Sequence, residues 1–261
     1  MARYFQIYRS FFKSSLAREL EFRANFFAQI LQNAMWIGFG LLVILVIYSN
    51  VKSVAGWSFS ESLVLLGTTS LVGAIQEAFT NSLLEIPEHV RKGTLDFVLT
   101  KPVDSQFWVS ARRFNFNRLG AVLGGLGFVI GGALTIPNPP GLVQVLGFVM
   151  LLACAVILYY CLCLFFMTLA IWWVKVDNLW VLGEVVLSAT RYPIDVFSVA
   201  IRRVMTFYVP LAFLCAMPTL QLVRGFQPDM IGLGLLWTAL ALIVTRLFWR
   251  RALRSYSSAS S

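Results

Sequence analysis

Apolar side chains run along this chain in blocks of about twenty, broken by short polar stretches. A helix needs about that many residues to cross a bilayer, so each block predicts a membrane span. The blocks are 26–48, 59–84, 119–136, 141–174 and 230–248. The fourth is longer than a bilayer requires, which predicts tilt or projection past the membrane. Pro137-Asn138-Pro139-Pro140 turns the chain between the third and fourth blocks, and 49–58 is a short polar loop. The stretch 85–118 is different. It is a charged island between two spans, reading Glu-Ile-Pro-Glu-His-Val-Arg-Lys-Gly-Thr-Leu-Asp-Phe at its start.

Residues 1–24 carry Arg3, Arg9, Lys13, Arg18 and Arg23, with Phe5, Tyr8, Phe12 and Leu16 between them at spacings of three and four. That pattern predicts a basic amphipathic helix in the membrane interface, its cations toward anionic lipid headgroups, setting the angle of the first span. The stretch 175–225 has two readings. In one, 177–190 is a fifth span and 191–225 a re-entrant hairpin at the outer face. In the other, 204–223 is the fifth span. The positive-inside rule speaks mildly against the first, because it places Lys52, Arg191, Arg202, Arg203 and Arg224 outside. The second strands the apolar run 179–189 in the cytoplasm, and the first is preferred. Both give six spans with the two termini in the cytoplasm.

Composition narrows the class. The chain is 59% hydrophobic and only 13% charged, and its mean hydropathy is +0.77. A soluble domain carries about twice that share of charge. A net charge of +9 fits Lys and Arg gathered in cytoplasmic loops, and no basic-aromatic module outside the spans suggests nucleic-acid binding. Cys154, Cys161, Cys163 and Cys215 form no C-x-x-C pair and read as small buried hydrophobes. His89 is the only histidine, so neither a metal site nor a nucleophile–histidine set can be assembled. No G-x-x-x-x-G-K-[ST] occurs, so ATP and Mg, if used, belong to another polypeptide.

Polar residues inside apolar blocks must face protein, water or a counter-charge. Gln76, Glu77 and Glu184 are candidates for lining a substrate cavity, with an ion pair to a neighbouring helix as the alternative for Glu77. Glu61 and Glu85 read as interfacial. In the third block, Gly120 to Gly124 and Gly127 to Gly131 are small-x-x-x-small steps that suit close helix packing.

The island carries a family likeness. Arg91-Lys92-Gly93-Thr94-Leu95-Asp96-Phe97-Val98-Leu99-Thr100-Lys101-Pro102-Val103 resembles the loop after the second span in type-2 ABC exporter permeases. Asp96 stands where Glu is commoner there. Ser188-Ala189-Thr190-Arg191-Tyr192-Pro193 is similar to that family's Ser-Gly-x-x-x-Pro, with Ala189 in place of Gly. Tyr208-Val209-Pro210-Leu211 and Leu222-Val223-Arg224-Gly225 resemble its Pro-x-x-Tyr and Arg-Gly landmarks, without the Tyr after the second Pro. Within the family the chain is most similar to short six-span members, including viologen-exporter-like ones.

The resemblance implies an all-α, polytopic membrane protein with one permease domain, 1–261. Six transmembrane helices would be joined by an N-terminal interfacial helix, a cytoplasmic coupling helix and an outer re-entrant hairpin. It implies an inner-membrane exporter subunit, not an enzyme, paired with a second permease copy or a sister permease. Two P-loop ATPase subunits would dock on the island, with Glu88, Arg91, Lys92 and Asp96 as polar contacts and Leu95 and Phe97 as anchors. The substrate would be hydrophobic or amphiphilic, a class that includes cationic drug-like compounds. An ion-coupled secondary transporter is the alternative, although no internal repeat supports it.

Overall fold

A computed structural model of the chain describes residues 2–21, 23–173, 181 and 188–256. Glu184 and most of 177–190 lie outside the described residues. The helices in order are α1 (Ala2–Glu21), α2 (Arg23–Asn50), α3 (Phe59–Thr80), α4 (Ile86–Arg91), α5 (Asp96–Leu99), α6 (Ser105–Ala111), α7 (Leu119–Thr135), α8 (Leu142–Thr168), α9 (Val199–Arg203), α10 (Ala216–Val223) and α11 (Pro228–Ser255). Among the described residues, five helical stretches are long and apolar enough to cross a membrane: Ala28–Asn50, Phe59–Arg91, Phe116–Thr135, Leu142–Ile171 and Pro228–Ser255. The architecture is an all-α polytopic membrane protein. Hydrocarbon offers backbone groups no partner, so helices that satisfy their own hydrogen bonds are the outcome for such blocks. Polar side chains within them follow the same rule. Thr68, Thr69 and Ser70 donate to the carbonyls of Val64, Leu65 and Leu66 at 2.8, 2.8 and 2.9 Å.

The tightest helix contact is between α3 and α7, and glycine makes it possible. A Cβ on Gly67 would lie 2.6 Å from the Val129 nitrogen and 2.7 Å from the Gly125 oxygen. A Cβ on Gly132 would meet the Ser60 oxygen at 2.9 Å. The contact therefore uses Gly125 and Gly132, seven residues apart, rather than the steps expected from the sequence. Gly124 faces Ile37 of α2, while Gly127 and Gly131 have nothing within 4 Å. Small residues do pack this bundle, but in a different register.

The loop between α2 and α3 holds the far end of the bundle. Val54 and Trp57 pair through two backbone hydrogen bonds of 3.0 and 2.9 Å, closing a two-residue turn with Ala55 at φ 49° and Gly56 at φ 81°. Two positive φ values in succession are what such a turn demands. The turn tucks Trp57 into full burial. The Trp57 indole donates to Asp195 at 2.9 Å. The Arg224 guanidinium lies 5.3 Å over the Trp57 ring, donates to the Gly56 carbonyl at 3.3 Å and approaches Glu61 at 3.8 Å. Glu61 also completes the capping box that starts α3, accepting from the Ser58 amide at 2.7 Å.

The chain thus leaves Trp57 at Asp195 and returns to it at Arg224. Between them it reaches the core, where Phe213, fully buried, meets Gly234 of α11 and clusters with Leu151 and Leu158 of α8. This path overturns the reading of 204–223 as one span. The segment is broken into a wide turn over Val204–Tyr208, a tight 3₁₀ turn over Leu211–Leu214 and α10, each too short to cross. Pro210 lacks the amide that a continuous helix would need. Ile171 packs at the opposite end of the bundle, against the island. Asp195 lies at the Trp57 end instead.

Two outcomes follow from these contacts. Gly67→Ala forces a Cβ into backbone and is expected to cost about 1–3 kcal/mol, whereas Gly127→Ala should be neutral. Thermal unfolding in mild detergent, read by a thiol-reactive dye on the four buried cysteines, separates the two. Trp57→Ala should speed amide exchange across 194–224 while leaving α7 unchanged, as hydrogen-exchange mass spectrometry can read.

Candidate functional site

The island is a folded body rather than a linker. A 3₁₀ turn, Asn81–Glu85, leads from α3 into α4, with Pro87 in the first turn where its missing amide costs nothing. Gly93, at φ 66°, ends α4. Its amide returns to the Val90 carbonyl at 3.2 Å, and the Leu95 amide returns to His89 at 3.2 Å. The chain then makes α5 and turns through Pro102 into α6. Asp104 caps α6 by accepting from the Phe107 amide at 3.0 Å.

This body has its own core. Leu83, Ile86, Leu95, Val98, Trp108 and Val109 form one buried cluster with Cys163, Leu164 and Met167 of α8 and Trp249 of α11. Leu95 is fully buried, which corrects its expected role as a surface anchor. Its side chain holds α4 and α5 onto the bundle and has no surface to offer a partner. Glu88, Arg91, Lys92 and Phe97 do lie exposed, Phe97 at 71%. Lys92 pairs with Glu88 at 2.6 Å. Asp96 is half-buried beside Tyr256, whose phenol is held above its ordinary value by burial and by the Asp96 carboxylate.

Charge stitches the island together. Glu85 accepts from both Arg112 and Arg113, which lie just past the end of α6, and His89 approaches it at 3.8 Å. The Arg112 guanidinium and the Lys101 ammonium each lie 4.5 Å from the Trp108 ring, so the arginine's flat face is packed while its edge holds the carboxylate. A second set of ties leaves the island. Arg246 of α11 grips both oxygens of Asp104 and donates to Gln106 at 2.8 Å. The Trp249 indole donates to Ser105 at 3.1 Å. The hydroxyl of Tyr160, on α8, lies 3.1 Å from the Gln106 amide and 2.9 Å from Ser110.

Helix α1 spends one face on the island, which the sequence reading did not anticipate. Tyr4 meets Phe107 edge-on at 5.0 Å. Phe12 packs against Phe114 and Phe116 at 5.2 and 4.8 Å. Ser15 accepts from the Phe114 amide at 3.1 Å, and Glu19 accepts from Asn117 at 3.0 Å. These four positions follow helical spacing. Phe5 and Leu16, on the expected apolar stripe, are exposed instead.

Of the expected cavity residues, Gln76 and Glu77 are both engaged by protein groups. Glu77 forms an ion pair with Arg118, which also donates to Asn33 of α2 at 2.8 Å. Gln76 is 4% exposed and hydrogen-bonds within its own helix to Thr80. Open grooves of about 470 and 370 Å³ lie elsewhere, one lined by Leu45, Tyr48, Lys52 and Phe59, the other by Leu169, Trp172, Trp173 and Phe248. Neither includes Gln76 or Glu77.

The Arg246 guanidinium and the Phe107 amide hold the Asp104 carboxyl below its ordinary value of 3.8. Its folded pKa being lowered, the stability it adds is complete above 3.8 and is lost as pH falls through the lowered value. The difference in melting temperature between the wild type and Asp104→Asn should therefore be flat from about pH 5 to about pH 8 and shrink only in stronger acid. A shrinking difference between neutrality and about pH 5 would contradict that assignment.

Comparison with known proteins places this architecture. The sequence profile described as ABC-2 family transporter protein matches residues 34–260, taking in most of the exposed first span, the island and the broken segment. No curated protein and no solved structure matched the chain. With all but its first helix and the start of its second inside that match, the chain belongs to the ABC-2 family of transporters, as a multi-pass membrane subunit of an ABC-type permease.

Proposed function

We propose that this chain is the permease subunit of an ABC exporter and that the exposed face of α4 and α5 receives a separate P-loop ATPase. The observation that carries the reading is a contrast within the island. Leu83, Ile86, Leu95, Val98, Trp108 and Val109 are buried on the ends of α8 and α11, while Glu88, Arg91, Lys92 and Phe97 are exposed. An exposed aromatic among charges of both signs, on a rigid base, has the composition of an interface centre. ATP and Mg would reside on two such ATPase subunits, and a second permease copy or a sister permease would complete the path.

The same reading sets the topology. Both α1 and the end of α11 contact the island, which supports two termini on the cytoplasmic side of a plasma membrane. Ile171 at the island end and Asp195 at the Trp57 end fit a fifth crossing between them. The segment 194–224 is then a re-entrant element at the outer face, pinned by Trp57. With Glu77 neutralised by Arg118, the charge that would attract a cation is weakened. A hydrophobic or amphiphilic substrate is the better fit, and a cationic one would have to rely on Glu184.

The test is association. Phe97→Ala should lower affinity for the ATPase by about 2 kcal/mol, roughly thirtyfold, and Arg91→Glu with Lys92→Glu should weaken it further. Membrane insertion and melting temperature should hold. The measurement is co-purification from mild detergent with quantitative mass spectrometry. Unchanged recovery of the ATPase with both variants sinks the docking face. No ATPase with the wild type turns the reading to an ion-coupled transporter.

A further inference from the structure

The island is covalently joined to α3 and α7, yet it is also tied by polar contacts to a helix more than a hundred residues away. Asp104 is the hinge of that arrangement. One carboxylate oxygen caps α6 through the Phe107 amide, and both oxygens take the fork of Arg246. The same guanidinium reaches Gln106. Three residues on, one turn along α11, Trp249 is 1% exposed and donates to Ser105. The first turn of α6 is thus fixed to α11 at two successive points of one helix face.

The other end of α6 faces the docking side. Arg112 and Arg113 hold Glu85 at the start of α4. Beside the apolar contacts of α4 and α5 with the bundle, one polar route from α4 runs through Glu85 into the end of α6, along that helix, and out through Asp104 into α11. A two-point fork resists rotation as well as separation, which a single hydrogen bond or a lysine does not. We propose that the Asp104–Arg246 pair is the joint that delivers ATPase-driven movement of the island to the last span. Both are positioning residues, and the proposal rests on the docking role argued above.

Asp104→Asn suits the test because the asparagine oxygen keeps the cap of α6 while the charge and one arm of the Arg246 fork are removed. The experiment uses the permease–ATPase complex in lipid nanodiscs, with and without ATP plus vanadate, followed by hydrogen-exchange mass spectrometry. In the wild type, trapping should change exchange both in 86–99 and in α11. In Asp104→Asn and in Arg246→Gln, the ATPase should still co-purify and turn over ATP. The change in 86–99 should persist, and the change in α11 should be lost. A merely structural role would not separate those two segments. The double variant should be no worse than either single one, as members of one pair require.

A full α11 response in both single variants would overturn the proposal while leaving the docking face standing. Loss of the 86–99 response together with that of α11, or additive losses in the double variant, would overturn it as well. Absence of any ATPase from the wild-type complex would remove the docking reading and this joint with it.

Discussion

Glu85 held between Arg112 and Arg113 is the contact on which the charged end depends. It closes the loop from the end of α3 to the end of α6, so that the intervening chain folds as a unit. Within that closed loop, Leu83, Ile86, Leu95 and Trp108 share one core with α8 and α11. The Glu85 side chain is only 19% exposed, so its charge is partly desolvated. Removing one partner from such a site is costly because the remaining charge stays poorly compensated. A surface pair such as Lys92 with Glu88, half exposed on both sides, is worth far less.

The two ends of the bundle are built on different principles. At the island end, carboxylates and guanidiniums join helices that are distant in sequence: Glu85 to α6, Asp104 to α11, Glu77 to the start of α7. At the other end, one buried indole does the joining, with Asp195 at its edge and Arg224 on its face. Between them the bundle is held by close apolar packing, tightest where Gly67, Gly125 and Gly132 let α3 and α7 approach. The rigid joints therefore lie at the two surfaces, and a push at one end reaches the helices through few, identifiable contacts.

Much of the fold was legible in the sequence. Blocks of apolar residues located five long helices, because hydrophobic length is the dominant signal in a bilayer. Pro87 and Gly93 marked the limits of α4 through local backbone chemistry. What stayed hidden depends on tertiary placement. Leu95 belongs to a motif that resembles a docking loop, and nothing local says that its side chain turns inward. The glycine register was misjudged because α7 carries glycine on several faces and only its partner helix selects one. Arg246 did carry a signal: it is a lone cation inside an apolar block, and such a residue needs a counter-charge. Asp104 was the nearest acid after the island's Pro102, but only the fold brings them together across 142 positions.

The central claim is that the surface around Phe97 meets an ATPase. A photoreactive amino acid at position 97, activated in native membranes, tests it most directly, since it records contacts before any detergent is added. The account predicts one dominant cross-linked product, containing a P-loop ATPase, that is lost when Arg91 and Lys92 are reversed in charge. Cross-links to lipid or to other copies of the chain, with no ATPase among them, would contradict it.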